Sequence, residues 1–122
     1  LAPTLLDFAD LPIPDDLQGY SLKPILKGKA DQVREASYYH FYEHGRRLPE
    51  MVGVRTERYK LIHYPTMEDP YKWELFDLEK DPDEMKNLYR NPEHKELLAQ
   101  MKVELRQLVA DLEDPVELPD LL

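Results

Sequence analysis

The stretch Met51-Val-Gly-Val-Arg-Thr-Glu-Arg-Tyr-Lys-Leu-Ile-His-Tyr64 contains two runs rich in aliphatic, β-branched and aromatic residues, separated by the polar pair Glu57-Arg58. Such runs are typical of strands, and a short polar break between them is typical of a tight antiparallel hairpin. A type I′ turn normally has Gly or Asn in the break, so the turn type stays open. We therefore predict a hairpin of two strands, 51–56 and 59–64.

Two more strands are predicted, one on each side of this hairpin in the sequence. The segment Ala36–Tyr42 is rich in aromatic residues, as strands are, and Lys72–Leu78 follows the loop at Asp69-Pro70. After the fourth strand, Asp81 is a possible cap for a helical turn at Met85–Leu88.

The clearest helix begins after Asn91, a good N-cap residue, with Pro92 as its first residue, and it ends before Asp114-Pro115. Its apolar residues form one stripe: Leu97, Leu98, Met101, Leu105, Leu108, Val109 and Leu112. We therefore predict an α+β fold, in which a four-stranded antiparallel sheet lays one face on this long C-terminal helix. The other face is too aromatic for plain exposure, which indicates that the domain docks onto a larger body.

Two short helices are predicted before the sheet. The first spans Leu1–Ala9 with Pro3 in its first turn, and the second runs from the N-cap candidate Ser21 to Leu26, ending at Gly28. Both are too short to be stable alone in water, so their apolar faces need a partner that we expect outside this chain.

Composition limits the classes of protein that remain. The 122 residues suit one domain, and a net charge of −9 argues against a nucleic-acid partner. No apolar run is long enough to span a membrane, and the absence of cysteine excludes disulfides and thiolate metal sites.

The histidines are the first candidates for chemistry. His40 and His44 are four residues apart, which on a helix would suit zinc, but their segment is predicted as a strand, where this spacing is ~13 Å. A structural His40 that bonds a tyrosine is the simpler interpretation, and His63 is also interpreted as structural. The basic pair Arg46-Arg47 is consistent with an anionic ligand or with a solvated loop. These residues do not form a self-sufficient catalytic set.

Several segments resemble those of the sulfatase family, in the correct order. Val54–Ile62 resembles a hairpin of the family's smaller C-terminal domain, and Glu74–Pro82 with Asn87-Leu88 resembles the strand and turn before the final helix. The end of the family's large α/β domain is similar to residues 2–9, 11–14 and 18–22. The resemblance implies that residues 1–28 end the catalytic domain, 29–34 are a linker, 35–114 form the C-terminal subdomain and 115–122 are a tail.

The resemblance implies a parent enzyme that hydrolyses sulfate esters of glycans or aryl sulfates, with a formylglycine nucleophile and a calcium ion. Neither motif, Cys-x-Pro-x-Arg or Ser-x-Pro-x-Arg, that supplies formylglycine occurs here. We therefore expect no cofactor in this fragment, no activity of the fragment alone, and the catalytic domain of the same parent chain as its partner. A periplasmic or secreted parent is expected from the family.

The run Tyr38–Glu43 most resembles members that act on sulfated glycans, in which this region lies near the pocket edge. The resemblance therefore implies that His40, Glu43 and His44 bind substrate, while residues 45–50 match the family pattern poorly. Two alternatives stay open: the C-terminal part of a related phosphodiesterase or phosphonate hydrolase, and a stand-alone binding domain.

Overall fold

The computed structural model describes residues 1–42 and 48–119, and the chain divides into two units, residues 1–35 and 36–122. The first unit contains helices α1 (Ala2–Phe8) and α2 (Lys23–Leu26). The second contains four strands, one 3₁₀ turn and one long helix: β1 (Ala36–Phe41), β2 (Met51–Thr56), β3 (Tyr59–His63), β4 (Trp73–Asp77), Pro92–His94 and α3 (Lys95–Asp111). Within the described part of the chain, no helix has the length and apolar character needed to cross a bilayer.

The four strands pair in sequence order as an antiparallel meander, β1-β2-β3-β4. One row of residues crosses the sheet from Tyr38 through Val54 and Leu61 to Leu75, because each is paired directly with the next. The last three have no exposed surface at all. Alternate side chains of a strand point to opposite faces, so this row defines the face that is covered by α3.

Helix α3 covers that face with Met101, Leu105 and Val109, which join Val54 and the rest of its row in one core cluster. The predicted α+β fold, a four-stranded antiparallel sheet packed against a C-terminal helix, is therefore confirmed. One member of the predicted stripe, Leu112, is 38% exposed. Leu112 is the C-cap residue of α3, after the last helical residue Asp111, and this position at the end of the helix explains its exposure.

The three segments that carried the family resemblance in this unit are joined to one another along strand β4, at the edge of the sheet. Arg58, in the turn between β2 and β3, donates to both carboxylate oxygens of Asp77 at 2.8 and 3.0 Å. This bidentate pair holds the pKa of Asp77 at about 2, chiefly through the hydrogen bonds from Arg58. Asn87 accepts from the backbone of Leu75 and donates to the carbonyl of Trp73, so the third segment is bonded to β4 as well.

The predicted helical turn at Met85–Leu88 is wrong. Glu84 has a left-handed φ of 55°, and both oxygens of the Asp81 carboxylate accept backbone N–H groups, from Met85 and Lys86. The chain then runs alongside β4, where the backbone N–H of Leu88 donates to Leu75. Bonds to the sheet edge thus replace the local bonds of a helix.

The first unit is held by side chains that join its two helices. The Asp7 carboxylate accepts from Ser21 and from Lys23, and the Thr4 hydroxyl accepts from the backbone of Leu22. Ser21 also accepts from the Lys23 backbone, although the N-cap residue of α2 is Leu22. The apolar side chains of Leu1, Leu5 and Leu26 are 86%, 63% and 66% exposed in this chain.

Replacing Leu105 tests the core between α3 and the sheet. Leu105→Ala removes a side chain with no exposed surface and should lower the free energy of unfolding by about 2–5 kcal/mol through lost burial and the cavity left behind. Urea unfolding of the chain measures this. The control is Val103→Ala, whose side chain is 59% exposed on the same helix and should change stability by less than ~0.5 kcal/mol. Equal effects of the two variants would show that the stripe is not core.

Gly53 tests the packing of the opposite sheet face. It is paired with Tyr39, and an added Cβ would lie 2.3 Å from the Tyr39 hydroxyl oxygen and 2.8 Å from the Leu61 carbonyl oxygen. Gly53→Ala should therefore destabilise the chain by about 1–3 kcal/mol, since the Tyr39 ring or the backbone must move. The control is Gly19→Ala, in which the new Cβ meets only Pro3 at an ordinary distance of 3.5 Å. Thermal unfolding should show a lower melting temperature for Gly53→Ala than for Gly19→Ala. Unchanged stability of Gly53→Ala would contradict the close packing of Tyr39.

Candidate functional site at the end of strand β1

His40 lies near the end of β1 with both ring nitrogens engaged by carboxylates. Nδ1 is 2.9 and 3.0 Å from the two oxygens of Asp114, and Nε2 is 2.9 Å from Oε1 of Glu50. The His40 side chain is only 5% exposed. Because an ionised carboxylate only accepts hydrogen bonds, both contacts are made when the ring carries a proton on each nitrogen.

These contacts join three distant parts of the second unit. His40 belongs to β1, Glu50 immediately precedes β2, and Asp114 follows the end of α3, 74 residues from His40 in sequence. The ring of Tyr42 stacks on the imidazole with centroids 3.8 Å apart. One buried imidazole therefore contacts residues on both sides of the segment 43–49 and the chain beyond the last helix. We name His40, Glu50 and Asp114 the histidine clasp.

Electrostatics inside the clasp favour the ionised carboxylate of Asp114. Its side chain is 8% exposed, and this burial opposes ionisation. Hydrogen bonds from His40 and from the Val116 backbone, together with the nearby Tyr38 hydroxyl, outweigh that burial and lower the pKa of Asp114. The Tyr38 hydroxyl is itself buried and makes no well-aligned hydrogen bond, and burial, then Asp114, raise the pKa of Tyr38.

Of the three predicted substrate-binding residues, only His40 can be located. Glu43 and His44 lie outside the described residues, as do Arg46 and Arg47. His40 points to the covered side of the sheet, because it is two residues from Tyr38 on the same strand. Its nitrogens bond carboxylates, whereas the structural interpretation from sequence gave it a tyrosine as hydrogen-bond partner. A tyrosine is present, but it stacks on the ring.

Sequence reasoning missed Glu50 and Asp114 as partners of His40. In the sequence, Asp114 only forms part of the Asp-Pro signal that ends the helix. No local pattern relates a residue after the last helix to one in the first strand, so nothing in the sequence pointed to this pair.

His63 is a second histidine in the sheet, and the structure confirms its structural interpretation. It is 1% exposed, its ring lies 4.2 Å from that of Trp73, and its Nδ1 is 3.3 Å from the carbonyl oxygen of Lys72. Burial lowers the pKa of His63 to about 4, despite the hydrogen bond to this carbonyl.

Lys102 of α3 lies against two aromatic rings at the β4 edge of the sheet. Its ammonium nitrogen is 4.7 Å from the centre of the Trp73 ring and 5.2 Å from that of Tyr89. Burial, followed by repulsion from Arg106, lowers the pKa of this lysine. The cation thus helps to attach α3 to the sheet.

Among residues 1–42 and 48–119, no group of three His, Asp or Glu side chains is arranged to hold a metal ion. The chain also has no cysteine.

Comparison with known proteins identifies the family. The sequence model of the family described as N-sulphoglucosamine sulphohydrolase, C-terminal, matches residues 1–111. The chain belongs to this family. The chain is similar to sulfatases in both sequence and fold.

An N-acetylglucosamine-6-O-sulfatase of Bacteroides thetaiotaomicron is 39% identical over 115 residues, which are 90% of this chain and 20% of the relative. A solved structure of a protein in complex with its substrate D-glucosamine-2-N,6-O-disulfate is 35% identical, with a TM-score of 0.83 over 93% of this chain and 24% of that one. A phosphonate monoester hydrolase of Agrobacterium radiobacter is 27% identical, with a TM-score of 0.71 over 89% of this chain and 24% of that one. The chain thus spans about a fifth to a quarter of these proteins.

The pH dependence of stability tests the environment of His63. Its folded-state pKa of about 4 lies below the ordinary 6.5, so the unfolded chain takes up a proton first as pH falls. The contribution of neutral, buried His63 to the free energy of unfolding is therefore fully present above pH 6.5. It falls as the pH drops from 6.5 to 4, and the loss is about 3 kcal/mol at pH 4.

The matched variant is His63→Asn, which keeps a donor near the Lys72 carbonyl but cannot titrate. It should be less stable at pH 8, because it loses the contact with Trp73, and its stability should depend less on pH between 6.5 and 4. Urea unfolding at a series of pH values gives both curves. Parallel curves would show that His63 titrates alike in the folded and unfolded states.

Proposed function

We propose that this chain is the C-terminal part of an enzyme that hydrolyses sulfate esters of glycans. The observation that carries the proposal is the 39% identity to an N-acetylglucosamine-6-O-sulfatase over nearly the whole chain. The similar structure that holds a sulfated glucosamine supports the same substrate class. The likeness to the phosphonate hydrolase is weaker, in both identity and TM-score, than the likeness to the structure with the sulfated glucosamine.

The proposed role of this chain in that enzyme is to pack beside the catalytic domain and to form part of the rim of the substrate pocket. The exposed Leu1, Leu5 and Leu26 support a neighbour for the first unit, because burying apolar side chains of this size lowers the free energy. In this proposal residues 1–28 belong to the catalytic domain, and the catalytic domain of the parent chain is the partner.

The nucleophile and the metal would come from the rest of the parent enzyme. There, the formylglycine residue would supply the attacking oxygen and a bound calcium ion would hold the sulfate group. Neither motif that supplies formylglycine occurs in this sequence, and no group of three metal-binding side chains is found among residues 1–42 and 48–119. We therefore assign no catalytic step to the side chains of this chain. The contribution of the chain is binding and orientation of the sugar.

We propose that Glu43 and His44 contact the substrate at this rim and that His40 supports them from the covered side of the sheet. The position of His40 supports this division of roles, because both of its nitrogens are already bonded and 5% of its side chain is exposed. Glu43 and His44 lie three and four residues after His40 in the chain.

Steady-state kinetics of the complete parent protein tests both parts of the proposal. The parent should hydrolyse glucosamine 6-sulfate and other sulfate esters in preference to phosphonate and phosphate monoesters. The variant His44→Gln should raise KM for the sulfated sugar about tenfold, the effect of one lost charge-assisted hydrogen bond, with kcat changed less. His94→Gln, on the turn before α3, is the control and should leave both constants as they are. Faster hydrolysis of phosphonate esters than of sulfate esters would instead identify the parent as a phosphonate hydrolase. Equal KM values for the His44→Gln and His94→Gln variants would show that His44 does not contact the substrate.

A further inference from the structure

Tyr42 is an exposed aromatic side chain supported by a buried one. It follows β1 directly, is 52% exposed, and stacks on the His40 ring with centroids 3.8 Å apart and planes 28° apart. An exposed tyrosine is usually mobile, but this ring is packed against an imidazole that is itself nearly inaccessible to solvent.

The support beneath Tyr42 is fixed at both ends. His40 cannot rotate about its side-chain bonds without losing the hydrogen bonds to Glu50 or Asp114, each at 2.9 Å. The Asp114 carboxylate is bonded in turn to the backbone of Val116. A tyrosine held in this way loses little conformational freedom when it contacts a ligand, which is the property that makes tyrosines efficient binding residues.

Charge at this position selects the part of a sulfated sugar that Tyr42 can contact. Two carboxylates surround one histidine, and even a fully protonated ring leaves the clasp with a charge of −1. A sulfate group is therefore repelled here. The C–H groups on one face of a pyranose ring carry small positive charges and pack favourably against the negative face of an aromatic ring.

We propose that Tyr42 is a specificity-determining residue that contacts the apolar face of a pyranose ring of the substrate, with the sulfate directed away from it. His40 is its positioning residue, and Glu50 and Asp114 hold His40. This inference rests on the proposed function, and it extends that function by making saccharides better substrates than aryl sulfates of similar charge.

The test compares two substrates in the complete parent protein: a disaccharide that carries one 6-O-sulfate, and 4-nitrophenyl sulfate. Tyr42→Leu should lower the ratio of kcat/KM for the disaccharide to that for the aryl sulfate about tenfold, mainly through KM for the disaccharide. Tyr42→Phe keeps the ring and should retain most of the ratio. Asp114→Asn should lower the ratio about threefold, because His40 loses one charged partner.

The control is Tyr71→Leu, since Tyr71 is 67% exposed in the loop before β4 and has no assigned role. Thermal unfolding of each variant accompanies the kinetics. If Tyr42→Leu lowers the rates for both substrates equally, or alters only the melting temperature, Tyr42 is structural and the inference is wrong while the proposed function stands. The same conclusion follows if Tyr71→Leu lowers the ratio as much as Tyr42→Leu does. If the wild-type parent hydrolyses neither substrate, the proposed function fails, and the inference fails with it.

Discussion

The packing of one sheet face on helix α3 is the constraint on which the second unit depends. Val54, Leu61 and Leu75 lie in one row across three strands, and all three are fully buried beneath the helix. Because strand side chains alternate between faces, this row also fixes the direction of every other side chain in the sheet. His40 is on the covered face for this reason, and a polar ring there requires bonded partners.

The histidine clasp is the polar counterpart of that core. Glu50 and Asp114 both bond a ring that is nearly inaccessible, so the hydrophobic cover and the ionic contacts select the same arrangement of β1, β2 and the end of α3. Breaking one contact would leave a buried charge without its partner, which costs more than the contact itself contributes. The clasp therefore connects the stability of the fold to the geometry beside the proposed substrate rim.

Family resemblance also has a physical explanation in this structure. The Arg58 of one characteristic segment forms a bidentate pair with the Asp77 of the next, and Asn87 of the third segment bonds the backbone of β4 on either side of Glu74. Each segment supplies hydrogen-bond partners to another segment. The three segments together therefore identify the fold better than any one of them. The contacts of Arg58, Asp77 and Asn87 hold the sheet edge in shape.

The sequence alone determined the elements of this protein, since hydrophobic periodicity and the proline and asparagine signals are local properties. It predicted the four strands, the helix stripe around Leu105 and the family. It did not predict the path of residues 85–88, where bonds to Leu75 replaced a helical turn, or the partners of His40. Those features depend on contacts between residues far apart in the chain, and only the folded sheet and helix bring Asp114 to the end of β1.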